Sequence, residues 1–265
     1  MPELPDVEMI RRYVQATALH QPIRGVEVLA PTMLEGITPS RLGRRLKGQS
    51  IEAAERYGKY VFVGLSNGWW LVFHFGMTGD LRYFKDLSHH PSYEPFLIHF
   101  SSGSHLVYVS RRKLGMIALI EEPLAFVKWK RLGPDAWESE FTATHLRQWC
   151  EGKLRSLKSA LLDQHFIAGI GNLYADEILF QAHLHPQAHV GQLRTGTLEN
   201  VQKTIKRVMK IAIDRRADPA HMPRSWLLPV RGPGGHCPAC RHTLSRATIS
   251  GRTTYFCSTC QRKTT

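Results

Sequence analysis

The spacing of apolar and polar positions along the chain changes period twice. After Pro5, Val7, Ile10 and Val14 recur three and four residues apart, which predicts an amphipathic helix opening at Asp6. From about Ile23 to Leu119 the pattern is strand-like. Tyr60 to Leu65 and Trp69 to His74 are two such runs, joined by Ser66-Asn67-Gly68. Phe96 to Phe100 and His105 to Val109 likewise bracket Ser101-Ser102-Gly103-Ser104. Short apolar runs closed by turn residues predict hairpins, hence an antiparallel β-sandwich or barrel with helices attached. Past Gly133-Pro134-Asp135 the helical period returns, over Ala143 to Glu151, Leu154 to Leu162, Leu173 to His183 and Leu198 to Arg216. There is no internal repeat and no long low-complexity linker, so the boundary is expected within 127–140. A chain of 265 residues can bury two modest cores.

A last hairpin is predicted near the C-terminus. Thr243 to Ile249 and Thr253 to Phe256 read as strands joined at Ser250-Gly251, with Arg252 at the tip. Around it stand Cys237-x2-Cys240 and Cys257-x2-Cys260, sixteen residues apart. Two thiolate pairs at that spacing can supply a full tetrahedral shell for one zinc ion. Four sulfur ligands leave no open position for a substrate, so the expected metal is structural. The competing assignment, two redox CxxC pairs, requires a neighbouring βαβ pattern that the sequence lacks. Zinc ribbon is the reading that remains.

Charge narrows the partner. The chain carries a formal net charge of +13 and a pI of about 9.8. That surplus is the electrostatic footprint of a polyanion, usually nucleic acid, although ribosomal and membrane-surface proteins share it. No apolar run approaches the roughly 18 residues that span a bilayer, and no charged-then-apolar leader opens the chain. With only Cys150 outside the metal set, no disulfide framework is implied, which points to a reducing cytoplasmic setting. His89, His90, His99, His105, His183 and His185 match no complete metal-ligand spacing.

A second motif lies in the helical half. Ala168-Gly169-Ile170-Gly171-Asn172 connects two helical segments and runs into Leu173-Tyr174-Ala175-Asp176-Glu177. Amides at the start of the second helix, with Asn172 near its cap, can form a phosphate site. The same glycines also suit a plain helical hairpin, and local sequence does not separate the two.

Taken in chain order, Met1-Pro2-Glu3-Leu4-Pro5-Asp6, Gly58-Lys59-Tyr60, His74-Phe75-Gly76-Met77-Thr78-Gly79, the Asp163-to-Glu177 segment and the ribbon resemble the formamidopyrimidine-DNA glycosylase/endonuclease VIII family. The resemblance covers nearly the whole chain. It implies an α+β multidomain fold: an N-terminal catalytic β-sandwich over 1–130, a helix–two-turns–helix DNA-binding domain over 131–228, and a β-hairpin zinc ribbon over 229–265. It also settles the Asp163-to-Glu177 segment in favour of phosphate binding.

The chemistry implied is that of a bifunctional DNA glycosylase and abasic-site lyase. Once Met1 is trimmed, Pro2 presents a secondary α-amine, and α-amines titrate near 7.7–8.0 against about 10.4 for lysine. Pro2 is the expected nucleophile at the deoxyribose C1′. Glu3 is the expected acid–base, protonating the ring oxygen or shuttling protons. Lys59 resembles the family lysine that contacts phosphate and assists the chemistry. His74, Asn172 and Arg252 should hold the phosphates flanking the lesion, with Lys158 adding charge. Met77, Arg112 and Leu114 match the positions that fill the gap left by a flipped base.

Departures from the family pattern sharpen the expectation. Asp6 stands where glutamate is usual, and Leu114 where phenylalanine is common in the purine-specific branch. The stretch from Arg215 to Arg231 lacks the Gly-Gly-Thr-rich loop that caps flipped 8-oxoguanine. Arg224 and Trp226 there either cover a base or pack the segment down. Efficient 8-oxoguanine excision is therefore not expected, and formamidopyrimidines, hydantoins and oxidised pyrimidines stay open. The partner implied is damaged double-stranded DNA, bound by a monomer at the cytoplasmic nucleoid. The alternative is a lesion- or junction-binding protein of the same fold with little chemistry. The combination of Pro2, Glu3 and Lys59 argues against it, as pure binding does not need that set.

Overall fold

The computed structural model describes residues 1–88 and 94–262, so His89 and His90 lie outside the described residues. It divides into two compact units, one of residues 1–2 and 6–131, the other of residues 3–5 and 132–265.

The first unit is a β-sandwich. One sheet has strand order β2-β9-β5-β4-β3, built from β2 (Leu34–Glu35), β9 (Met116–Ile120), β5 (Trp70–His74), β4 (Tyr60–Leu65) and β3 (Ile51–Tyr57). The other has order β1-β7-β8-β6, from β1 (Ile23–Val28), β7 (Phe96–Phe100), β8 (His105–Val109) and β6 (Asp80–Phe84). Alternation decides which side chain faces which layer. Val61, Val63, Leu71 and Phe73 enter the core with Ile98, Leu106 and Tyr108. Phe62 faces the other way, its ring edge-on to Phe126 at 5.8 Å in helix α3 (Pro123–Trp129). Burial on both faces explains why β4 reads as a near-continuous apolar run. Val7, Ile10 and Val14 of α1 (Leu4–Thr17) join the same core, as their spacing predicts.

The second unit holds α4 (Ala143–Cys150), α5 (Leu157–Leu162), α6 (Asn172–Gln181), α7 (Thr195–Asp214) and the hairpin of β10 (Ser245–Ile249) and β11 (Arg252–Phe256). Helix α5 begins three residues later than its apolar pattern predicts. Ser156 is extended (φ −68°, ψ 147°) and accepts from Ser159 N, so it caps the helix, while Leu154 is left exposed. Helix α7 begins a turn earlier than predicted, because Thr195-Gly196-Thr197 adds no apolar signal. Buried side chains surround α6 from Tyr174 to Phe180, including Asp176 and Glu177. An ion within such a helix needs dedicated partners.

Glu177 illustrates the cost. Its carboxyl accepts from Gln181 Nε2 and Leu228 N, both at 2.8 Å, yet burial pushes its pKa up from 4.5 to about 7. A raised acid holds its proton longer in the folded state. Its contribution to stability is therefore complete below pH 4.5 and lost as pH rises through 7. We expect stability to fall by up to about 3 kcal/mol between pH 4.5 and 8 from this group. Urea unfolding followed at several pH values should show that slope, and Glu177→Gln should flatten it.

Candidate nucleic-acid interface and catalytic site

The structure joins Glu3 to the start of α6. Gly171 N and Leu173 N donate to the Glu3 carboxylate at 2.8 Å, and Tyr174 N at 3.2 Å. Helix N-terminal amides and the helix dipole both favour an anion there. The expected phosphate site at these amides is thus corrected: an internal carboxylate already fills it. Two glycines make this possible. At Gly171 a Cβ would overlap the Glu3 carboxylate, and at Gly169 (φ +108°) it would lie 2.6 Å from Leu4, whose N–H donates to Gly169 O. Gln164 pins the turn between them through Ile170 O, Leu162 O and Gly169 N.

Gly171→Ala is expected to eject the Glu3 carboxylate while leaving the helices formed. A displacement of about 1 Å at a catalytic group can cost on the order of 100-fold. Single-turnover excision should fall by that order with DNA affinity nearly unchanged.

Asn172 donates through Nδ2 to Thr253 O at 2.9 Å, while its Oδ1 is buried without a partner. Arg252 opens β11 after a turn in which Ser250 (φ 51°) and Gly251 (φ 69°) are both left-handed, the geometry of a tight two-residue hairpin. Lys158 departs from expectation. It is 0% exposed, and its Nζ hydrogen-bonds Asp176 Oδ1 and, at 2.6 Å, Thr254 Oγ1. Its ammonium is turned onto these two internal partners. Burial lowers its pKa against the pull of Asp176. Trp226 is 3% exposed, while Arg224 stays at the surface.

In the first unit, Lys59 and Gly58 (φ +56°) form the two-residue link between β3 and β4, and Lys59 is nearly buried. His74 ends β5. Burial, then the charges of Lys59 and Lys130, lower its pKa to about 4, so the ring is neutral at pH 7. Gly76 N donates to His74 Nδ1 at 3.3 Å, which leaves the proton on Nε2 as a donor. Sequence reasoning missed Lys130, which is bound to Glu35 at 2.6 and 2.9 Å.

The loops at 76–79 and 110–115 meet backbone to backbone. A Cβ on Gly76 (φ +55°) would sit 2.5 Å from the Leu114 carbonyl, and Gly79 and Gly115 both press on the Tyr108 hydroxyl, which donates to His74 O at 3.1 Å. This contact brings Met77, Arg112 and Leu114 together. Arg112 Nη1 lies 3.0 Å from Met77 Sδ, and Met77 (43%) and Leu114 (53%) are exposed. Neither is a core residue.

The cysteines converge as their spacing predicts. All four Sγ atoms lie within 4.8 Å of one another, with Cys237–Cys260 at 3.8 Å and Cys240–Cys257 at 3.4 Å. A tetrahedron of Zn–S bonds of about 2.3 Å has edges of about 3.8 Å, so the set fits one structural zinc. Among the described residues no other group of three or more ligating side chains converges in this way. Behind the metal site, Phe180, Leu227 and Leu244 pack against Cys237 and Cys257. Gln261 ties Cys257 N to Leu184 O.

Comparison with known proteins agrees with this architecture. Residues 1–117 match the formamidopyrimidine-DNA glycosylase N-terminal domain, 132–222 the H2TH domain of the same proteins, and 234–262 the zinc finger found in FPG and IleRS. The chain belongs to the formamidopyrimidine-DNA glycosylase family. It is 33% identical to the formamidopyrimidine-DNA glycosylase of Desulfitobacterium hafniense over 275 residues, covering 98% of this chain and 100% of that protein. The Carboxydothermus hydrogenoformans enzyme is also 33% identical, over 99% and 100%. The Lactococcus lactis Fpg solved with abasic-site DNA superposes with a TM-score of 0.90 at 28% identity, over 98% and 100% of the two chains. A variant of that enzyme bound to Fapy-dG-containing DNA gives 0.90 at 28%, over 99% and 100%.

Proposed function

We propose that this family member excises oxidised and ring-opened bases from duplex DNA, formamidopyrimidines foremost, and cleaves the abasic strand it creates. The observation carrying the reading is the Glu3 carboxylate, held by three amides in the residue next to Pro2. An acid–base group fixed beside a terminal secondary amine is what the lyase chemistry needs.

In this reading Pro2 nitrogen bonds to C1′ as the bond to the base breaks. The Glu3 carboxylate, fixed by three amide donors, is placed to take the proton released from the Pro2 nitrogen and return it to O4′ as the sugar opens. The resulting iminium is a permanent cation that acidifies C2′. Loss of a C2′ proton expels the 3′ phosphate by β-elimination, and the 5′ phosphate follows by δ-elimination. Lys59 contacts phosphate beside the reacting sugar. His74 gives a neutral Nε2–H to phosphate, and Asn172 and Arg252 hold flanking phosphates. Met77, Leu114 and Arg112 occupy the space of the flipped base, the arginine facing the orphaned partner. Residues 1–130 are the catalytic domain, 131–228 the helix–two-turns–helix domain and 229–265 the ribbon, in a monomer that works at the nucleoid. Among the described residues, no helix is long and apolar enough to cross a membrane.

Borohydride trapping on duplexes carrying an abasic site, formamidopyrimidine, 8-oxoguanine or an oxidised pyrimidine tests the proposal, with intact mass confirming Pro2 as the terminus. A covalent adduct favouring formamidopyrimidine over 8-oxoguanine is expected. No adduct on any duplex, alongside tight and salt-sensitive binding, would leave only the lesion-binding alternative.

A further inference from the structure

The second unit buries two cations on one carboxylate. Asp176 Oδ1 accepts from Lys158 Nζ and Oδ2 from Arg231 Nε at 2.8 Å, with Arg231 Nη2 ion-paired to Oδ2 at 2.7 Å. The side chains of Lys158 and Asp176 are fully buried, and that of Arg231 is 10% exposed. Such a group is weak as a source of stability, because desolvation offsets the attraction; its best-attested use is to set a register. Here the register is visible. Asp176 Oδ2 also accepts Tyr255 N at 3.1 Å, and Thr253 O accepts Arg231 Nη2 and Asn172 Nδ2, both at 2.9 Å. Lys158 takes the intervening Thr254 hydroxyl.

Among the described residues the β10–β11 sheet has two strands, so one edge of β11 is paired by no strand there. Thr253 and Tyr255 are two residues apart, and their backbone groups point to the same edge of the strand. Side chains of α6 and Arg231 thus occupy hydrogen-bonding positions a third strand would take. Asn172 and Asp176 are four residues apart on α6, hence on one face.

We propose that Asp176, with Lys158 and Arg231, is a positioning residue that locks β11 in register on α6 and thereby fixes Arg252 and Asn172 as one phosphate-gripping pair. The inference rests on the reading of Arg252 and Asn172 as phosphate contacts. It assigns Lys158 a task consistent with its burial: countering Asp176 and holding Thr254.

The test uses full-length, zinc-loaded protein and two variants, Asp176→Asn and Arg231→Lys, the second being milder because Arg231 is partly exposed. Amide exchange at Tyr255 is expected to quicken at least about tenfold in both, with one zinc per chain retained. Affinity for an abasic-site duplex should fall about tenfold, and the slope of log affinity against log salt should drop by about 1, as for one lost phosphate contact. Arg252→Ala should produce the same fall, and combining it with Arg231→Lys should cost no more than either alone. Unchanged exchange at Tyr255, or losses that add in full, would overturn the proposal. If Arg252→Ala alone leaves binding and slope intact, the phosphate reading fails, and exchange at Tyr255 still decides whether Asp176 holds the strand.

Discussion

Adding one glycine ahead of Pro2 is expected to abolish the trapped adduct and reduce strand cleavage on the order of 1,000-fold or more. The change converts the Pro2 nitrogen from a secondary amine into an amide. An amide lone pair is delocalised into its carbonyl and cannot attack C1′, and no permanently cationic iminium can form. Retention of Met1 would act identically, so intact mass must accompany every assay. The proposed phosphate contacts His74, Asn172 and Arg252 are untouched, and affinity for an abasic-site duplex should stay within a few-fold of the parent. The comparison separates chemistry from binding. An extended protein that still cleaves at the parental rate would remove Pro2 from the mechanism.

Stripping the zinc, or Cys257→Ser, is expected to weaken lesion-duplex binding on the order of 100-fold and to lower the thermal midpoint. Structural zinc in small modules contributes apparent binding energies of about 10–16 kcal/mol that are also folding energies. The ribbon has little else. An isolated two-stranded hairpin is marginal in water, and the cluster behind this one comprises Phe180, Leu227 and Leu244 with the buried cysteines. Burial and the neighbouring thiols also raise the pKa of Cys260, and burial raises that of Cys237. Without a cation, four sulfurs within 4.8 Å of one another cannot all be held as thiolates, so the shell that ties the hairpin together is lost. The measurement pairs zinc content with affinity and with hydrogen exchange across β10 and β11. A metal-free protein that keeps both its affinity and its hairpin protection would show that the zinc is dispensable.

The local period of the sequence determined the elements. Val7, Ile10 and Val14 needed only a helix of 3.6 residues per turn to face one core. Tyr60 to Leu65 and Trp70 to His74 needed only short apolar runs of strand length and a turn at Asn67-Gly68. Cys237, Cys240, Cys257 and Cys260 specified their ion by number, type and spacing, because a tetrahedral thiolate shell has few alternatives. These are short-range constraints, and a linear sequence carries them in full.

What only the tertiary structure decided involves groups far apart in the chain. Glu3 meets Gly171 across 168 positions, and nothing local to either residue announces that an acidic side chain will take the helix amides from a phosphate. Lys158 looks like any basic surface residue until Asp176, 18 positions on, and Thr254, 96 positions on, close around it. The glycines at 76, 79 and 115 read as loop residues. Packing makes them the contact that brings Met77, Arg112 and Leu114 together. Asp176-Glu177 inside an apolar helix was the one available signal, since buried carboxylates demand partners. It marks that such partners must exist. Which residues they are depends on how the helices and the ribbon pack, because burial removes water as the competing partner and leaves each ion to whatever the fold brings within reach.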